Sequence, residues 1–468
     1  MGLSFSQRLG LRLGIEELAE GATGEEGEVG GTAVLPDAPE ETVEGGLMEA
    51  GEAEAVVEEE TAEAEQLEDS VETLEKIALG LETAMKNGGC TAGEAYAYQI
   101  GLESAFRPFG MGATATASLE NIGSARNPRL EATRVTLEGV KETLQKWWAG
   151  LVAMWEKVYN SIKGWLMKVF DSITPLKKRA DEIIRKAGAA KGSPKKDKIA
   201  FDSKSISTGD AAVTAESVAS GIETVREACD SGLIKAKGVY GAATAVLLSG
   251  LREAVDGKMT EGSDEKIIDE LMPKIETPDV GPTMSKFVTA PKEKYGGDGI
   301  KATISSNVLL GNKAVLVTVP ADLKKDGKFI GVASAMKNYN LKLVDGTATP
   351  KDDKEVPAAD APTVKAIAIS VTKICDTLLA YRGVWQERDK SKTLLSGEVK
   401  KEITKISSDK DATAEKTKLV KECGTALQSY ASKNSNFMAQ LSSYGLRAGQ
   451  VALNYANKCL DNLGEAAA

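Results

Sequence analysis

Residues 131–173 carry an apolar side chain at every third or fourth position without interruption. This spacing places the apolar residues on one face of an α-helix. The face comprises Leu137, Val140, Leu144, Trp147, Leu151, Met154, Val158, Ile162, Trp165, Val169 and Ile173. A helix of that length must bury one side against other elements, so the pattern predicts a body made mainly of long helices.

A helical hairpin is predicted to precede this helix. Apolar residues recur at helical spacing over residues 67–87, and Gly88-Gly89 is a typical helix end. Thr91 and Glu94 have the spacing of a capping box, which predicts the start of a second helix. That helix runs to about Phe106, before a proline.

Residues 284–345 change to the composition of β-strands, which predicts a small antiparallel sheet. The predicted strands are Thr303-Ile304, Val308–Leu310, Ala314–Val319, Phe329–Val332 and Leu341–Val344. Gly311-Asn312 is predicted to form a two-residue hairpin turn. Helical spacing then returns over residues 364–385 and 420–455. The expected fold is therefore mainly α, with long amphipathic helices, a small antiparallel β insert (α+β) and a disordered acidic N-terminus.

These patterns divide the chain into seven segments. They are an acidic disordered propeptide region at 1–66, a helical hairpin at 67–112, a linker with a processing site at 113–130, Trp- and Lys-rich amphipathic helices at 131–190, a basic loop and helical region at 191–283, a small β subdomain at 284–345, and long C-terminal helices at 346–468.

Charge is distributed unevenly along the chain. Residues 1–120 contain 26 acidic and 5 basic residues, a net charge of −21, and residues 121–468 have a net charge of +10. The first part would be repelled by nucleic acid and the second mildly attracted to it. The acidic run Glu58-Glu59-Glu60 is predicted to be solvated. The alternative explanation is an acidic tail on an ordinary domain.

The amino-acid composition and motifs give no indication of a catalytic site. The chain has no histidine, which removes the commonest general base and zinc ligand. Its five cysteines include no pair within four residues, so they are expected to act as small buried hydrophobes. We find no motif of a nucleotide-binding, hydrolytic or metal site, so we expect no enzyme activity, cofactor or metal. The enzymatic alternative is a cell-wall hydrolase within residues 211–345.

A tryptophan- and lysine-rich segment is the most suggestive element of the body. Trp147, Trp148, Trp155 and Trp165 share the predicted long helix with Lys141, Lys146, Lys157, Lys163 and Lys168. This composition fits a helix that lies on an anionic membrane. It also fits a core helix that packs its indoles and extends its lysines to solvent, and the regular 3–4 spacing favours that explanation.

A basic loop follows the long helices. Its lysines are Lys191, Lys195, Lys196 and Lys198. They could contact DNA non-specifically, although the loop has no groove-reading motif and no interleaved aromatics. A solvated loop is the alternative.

The N-terminal third resembles a known family. The matching phrases are Leu74-Glu75, Leu81-Glu82, Asn87-Gly88-Gly89, Ala95-Tyr96, Ile100-Gly101-Leu102-Glu103-Ser104, Phe109-Gly110-Met111 and Ser118-Leu119-Glu120-Asn121. Together with the helix at 147–170, they resemble the internal head proteins of large tailed bacteriophages (myophages and jumbo phages). The resemblance covers about residues 67–180.

This resemblance implies processing by a phage prohead protease acting in trans. Such a protease cuts after a glutamate that has a small residue two positions before it, so Ser118-Leu119-Glu120 is the expected site, followed by Asn121. Further cuts are expected after Glu20 and Glu49. The alternative is that Glu120 is an ordinary residue at a helix start.

The implied function is that of a virion structural protein, packaged inside the capsid head with DNA and matured by removal of an acidic propeptide. Expected partners are the prohead protease, scaffold or major capsid protein, and packaged DNA bound non-specifically; the membrane-active alternative adds a membrane surface. The protein would be in the host cytoplasm during assembly. Two alternatives stay open: a membrane-active protein ejected with the genome, and a scaffold or core protein removed during maturation.

Overall fold

The computed structural model describes residues 41–107, 126–190, 193–235, 237–256, 266, 269–270, 286–295, 299–321, 339–408 and 414–463. The helices are α1 (Glu41–Lys86), α2 (Ala92–Phe106), α3 (Arg126–Asp171), α4 (Ile173–Ala189), α5 (Ala215–Cys229), α6 (Lys237–Val255), α7 (Lys292–Tyr295), α8 (Ala361–Ser408) and α9 (Ala414–Asp461). The strands are β1 (Lys198–Ala200), β2 (Phe287–Thr289), β3 (Ile300–Ser305), β4 (Lys313–Pro320), β5 (Asn340–Asp345) and β6 (Glu355–Pro357). The predicted fold class, mainly helical with a small antiparallel sheet, is confirmed.

Residues 56–158 form one compact unit. In it, α1 and α2 make the predicted hairpin. Gly88 and Gly89 both adopt positive φ, at 92° and 97°, where a side chain would be strained. Thr91 and Glu94 form the predicted capping box at the start of α2, with both reciprocal hydrogen bonds present. The two helices are therefore joined by the turn chemistry that the sequence indicated.

Helix α1 begins well before the predicted start at 67. It runs from Glu41, so residues 41–66, which lie in the segment predicted to be disordered with nascent helix in its Glu- and Ala-rich part, form regular helix. The early turns have few large apolar residues, but Ala50, Val57 and Ala64 are all buried. Small side chains at helical spacing thus form a packing face. A search for regularly spaced large apolar residues does not detect such a face.

The second compact unit comprises residues 35–55 and 159–468. Its core is helical: α8 packs against α9, α4 and α5, and α9 also packs against α6. The buried face of α8 continues at helical spacing as Val364, Ile367, Val371, Ile374, Leu378, Tyr381 and Trp385. Between α5 and α6 the chain forms a π-helical turn over Asp230–Lys235.

A four-stranded antiparallel sheet lies in this unit, in the order β2-β3-β4-β5. Its interior includes Ala302, Ile304, Ala314 and Leu316. Helix α9 contacts strand β5, and Gln440 accepts a hydrogen bond from the backbone N–H of Leu343 at 3.2 Å. The predicted strand at Phe329–Val332 lies outside the described residues.

The turn before β4 differs from the prediction. Leu309 and Lys313 form an isolated bridge, so the loop has three residues rather than two. Val308–Leu310 is accordingly not a strand. Gly311 and Asn312 do occupy the left-handed region, at φ 71° and 56°, which explains why this pair signalled a turn.

A second, two-stranded sheet pairs elements far apart in the chain. Strand β1 runs antiparallel to β6, with Ile199 opposite Val356. The end of β6 is held to α9, because Tyr455 donates a hydrogen bond to the carbonyl of Pro357 at 2.8 Å. The segment at 346–468, predicted to consist of long helices, thus also contains a paired strand.

Candidate functional site: the tryptophan- and lysine-rich helix

The four tryptophans of α3 are all buried. The exposed fraction of Trp147, Trp155 and Trp165 is at most 1%, and that of Trp148 is 7%. The Trp147 ring meets that of Phe106 edge-on, with the centroids 5.2 Å apart. Burial of this kind favours the packing explanation of the tryptophan pattern over the membrane-surface explanation.

The acidic helix α1 lies along α3 in the opposite direction. Lys157 of α3 pairs with Glu60, the Trp148 indole N–H donates to Glu75 at 3.0 Å, and Lys141 pairs with Glu82. Position numbers rise along one helix as they fall along the other, so the helices are antiparallel. The tryptophan- and lysine-rich helix is therefore covered by carboxylates of the chain's own acidic segment.

The turn between α1 and α2 contacts the first part of α3. The backbone N–H of Cys90 donates to the Thr133 hydroxyl at 2.9 Å. A β-carbon at Gly89 would lie 2.7 Å from the backbone carbon of Arg129. Contact this close admits only glycine, which fixes the turn against the start of α3.

The prediction that Glu58-Glu59-Glu60 is solvated is wrong for one member. Glu58 and Glu59 are exposed, but Glu60 is only 7% exposed and lies 2.6 Å from the Lys157 ammonium. A carboxylate withdrawn from water requires such a partner. Sequence reasoning missed this residue because its partner, Lys157, is almost one hundred positions away.

The lysines of α3 differ in their surroundings. Lys141 and Lys157 pair with α1, and Lys163 lies 2.7 Å from Asp389 of α8. Lys146 and Lys168 are exposed. Three of the five lysines therefore neutralise carboxylates of this chain, which leaves the helix less cationic than its composition indicates.

The basic loop is anchored at the C-terminus. The backbone N–H groups of Lys195 and Lys196 donate to the Asn462 carbonyl and side-chain oxygen, at 2.8 and 3.2 Å. Lys198 lies in β1, and all three lysines are exposed. Lys191 lies outside the described residues. The loop thus displays cations on a fixed backbone, as a non-specific phosphate contact would need.

Of the predicted processing sites, only the one at Glu49 lies among the described residues. Ser118, Leu119, Glu120 and Asn121 lie outside the described residues, as does Glu20. Glu49 lies within α1 and is exposed. A helical backbone must unwind locally before it can enter a protease cleft, so a cut after Glu49 requires opening of the first turns of α1.

The described residues contain no candidate metal site. Within those ranges no three acidic, cysteine or histidine side chains come together as a metal site requires. All five cysteines are buried and free, and burial raises the pKa of Cys229 and of Cys375 to about 12. A thiol held protonated by burial in this way is a poor nucleophile. None of the described helices is long and apolar enough to cross a lipid bilayer.

Comparison with known proteins decides the family. Residues 52–458 match the family described as phiKZ-like phage internal head proteins. The chain belongs to this family. No curated protein and no solved structure matches it.

The match places the protein inside the head of a phage virion as a structural component. It confirms the resemblance drawn from residues 67–180 and extends it over most of the chain. The matched region begins inside the acidic segment and continues across the predicted cut after Glu120. Both sides of that position therefore belong to this phage internal head protein family.

Proposed function

We propose that this internal head protein is made as a precursor, and that a phage prohead protease cuts it after Glu120. The cut would separate an acidic leader, residues 1–120, from a cationic body, residues 121–468. The body is then retained in the head with DNA, which it contacts non-specifically through exposed lysines. The protein acts as a structural component and performs no catalysis.

The charge distribution carries this proposal. Residues 1–120, which end with Ser118-Leu119-Glu120, have a net charge of −21, and residues 121–468 have a net charge of +10. An anionic leader weakens attraction to nucleic acid during assembly, and a cationic body tolerates the packaged genome. In sequence, the predicted site lies between the last residue of α2, Phe106, and the first residue of α3, Arg126.

Exposed lysines support a loose DNA contact. Lys195, Lys196 and Lys198 are exposed on the backbone that pairs β1 with β6 and binds Asn462. Such cations bind phosphate with little sequence preference, and the binding weakens steeply as salt rises. This is the behaviour that a protein packaged along a whole genome requires.

A pair of variants tests the cut. Phage particles carrying Glu120→Gln should contain the full-length chain, because the protease requires the carboxylate at that position. Particles carrying Glu103→Gln, a matched change in the preceding Leu-Glu dipeptide, should contain the shortened body. Gel electrophoresis and mass spectrometry of purified particles read both. Equal shortening in the two variants would contradict the proposal, as would a full-length chain in unmodified particles.

A further inference from the structure

Lys141, Trp147, Trp148 and Lys157 of α3 form what we call the Trp/Lys surface. Each has a partner from residues 56–107: Lys141 pairs with Glu82 and Lys157 with Glu60, while Trp148 binds Glu75 and Trp147 packs on Phe106. The surface is thus filled by an acidic helical segment with a net charge of −9.

The occupying helix α1 is amphipathic in a particular way. Leu67, Leu74 and Leu81 have no exposed surface, and they recur at a spacing of seven residues. Glu60, Glu75 and Glu82 stand beside this apolar row and reach the cations or the indole of α3. Recognition therefore combines apolar packing with carboxylates at set intervals.

We infer that the Trp/Lys surface is a docking site for an acidic amphipathic α-helix, which the leader occupies in the precursor. This inference rests on the proposed function, because the leader can leave the surface only if the chain is cut. Cleavage breaks one peptide bond and leaves the helix-to-helix contacts intact. The leader accordingly stays docked after the cut, and the body carries its net positive charge alone only once the leader has dissociated.

The chemistry of the surface argues for a helix over nucleic acid. Phosphates would satisfy Lys141 and Lys157, but a sugar-phosphate backbone would leave Trp147 against polar groups. Buried indoles and leucines make their best contacts with other apolar side chains. A helix with glutamates flanking an apolar row satisfies the lysines and the indoles together.

The test uses the full chain with a specific protease recognition sequence inserted between Ala113 and Ala117, so that it needs no phage protease. After cutting, the leader should co-elute with the body on gel filtration at physiological salt. Added peptide of residues 56–86 should displace it, whereas duplex DNA and anionic vesicles should not. Immediate separation of the leader would overturn the inference, as would displacement by DNA or vesicles.

Charge variants of the same cut chain identify the surface itself. Lys157→Glu should speed dissociation of the leader roughly tenfold or more, since two carboxylates would then face each other. The double variant Lys157→Glu, Glu60→Lys should restore slow dissociation, and Lys146→Glu, at an exposed position, should change little. Equal effects of Lys146→Glu and Lys157→Glu would contradict the assignment. These results are independent of whether Glu120 is the natural cut.

Discussion

Lys157 and Glu60 form an ion pair of 2.6 Å, in which the lysine side chain is 25% exposed and the glutamate side chain 9%. The pair joins the acidic N-terminal segment to the helix that carries the tryptophans. The second carboxylate oxygen of Glu60 is buried, and no hydrogen-bond partner for it lies among the described residues. The cation that these residues bring to the carboxylate is Lys157, so the pair compensates the buried charge.

Removal of that cation should destabilise the protein more than its surface position suggests. Lys157→Met leaves the Glu60 carboxylate buried and uncompensated, so we expect the free energy of unfolding to fall by about 3 kcal/mol. Lys146→Met, on the exposed side of the same helix, should change it by less than about 0.5 kcal/mol. Urea denaturation of both variants measures the difference, and equal midpoints would show that the ion pair adds nothing.

Replacing either of two glycines near the hairpin turn by alanine should change the free energy of unfolding, but in opposite directions. Gly89 has φ 97° and its added β-carbon would lie 2.7 Å from Arg129, so Gly89→Ala should cost at least ~2 kcal/mol. Gly93 has open space around it in the first turn of α2, so Gly93→Ala should stabilise by about 0.5 kcal/mol. Thermal unfolding followed by circular dichroism compares them. A Gly89→Ala protein as stable as the parent would refute the turn geometry.

The tryptophans should be shielded from solvent in the intact chain. All five, including Trp385, are buried, so fluorescence should be emitted at short wavelength and quenched weakly by acrylamide. Anionic vesicles should leave both properties unchanged, because the indoles have no access to the lipid. A blue shift or protection from quenching on vesicle addition would instead support the membrane-active alternative.

Alkaline pH should weaken the fold. Burial raises the pKa of Cys229 and Cys375 from the ordinary 9.0 to about 12, so the folded state disfavours their thiolates. The stabilisation is complete below pH 9 and is lost as pH rises through about 12. Denaturation midpoints should fall over that interval, and Cys375→Ala should reduce the slope. A flat profile from pH 9 to 11 would contradict the burial of these thiols.

Much of the fold could be predicted because its signals are local. The capping box of Thr91 and Glu94 and the turn glycines Gly88 and Gly89 depend on neighbours within a few residues. The long amphipathic helix also shows in its own periodicity, and it appears as α3. Local chemistry of this kind is readable without knowing the tertiary structure.

Other features of the fold could not be predicted from the sequence, because they depend on contacts between residues far apart in the chain. The first turns of α1 are glutamate- and alanine-rich, and only packing of small residues such as Ala50 and Ala64 explains their helix. Strand β1 depends on β6, about 150 residues later. The three-residue turn at Leu310–Asn312 follows from a bridge that composition does not indicate.

The candidate site was predictable in part. The sequence identifies its tryptophans and lysines. It also supports two explanations, a membrane-surface helix and a core helix, and the burial of the indoles favours the second. The partners Glu60, Glu75 and Glu82 were not identified, since acidic residues in a charged segment give no sign of which ones face a lysine. The charge of a segment was thus readable, but its contacts were not.

Peptide mapping of purified virions by mass spectrometry, after digestion with a protease that does not cut at glutamate, tests the proposed cut most directly. Cleavage after Glu120 should give a body whose first residue is Asn121, with no peptide that continues across the Glu120–Asn121 bond. Peptides that run unbroken across that bond in mature particles, or particles that contain no part of the chain, would contradict it.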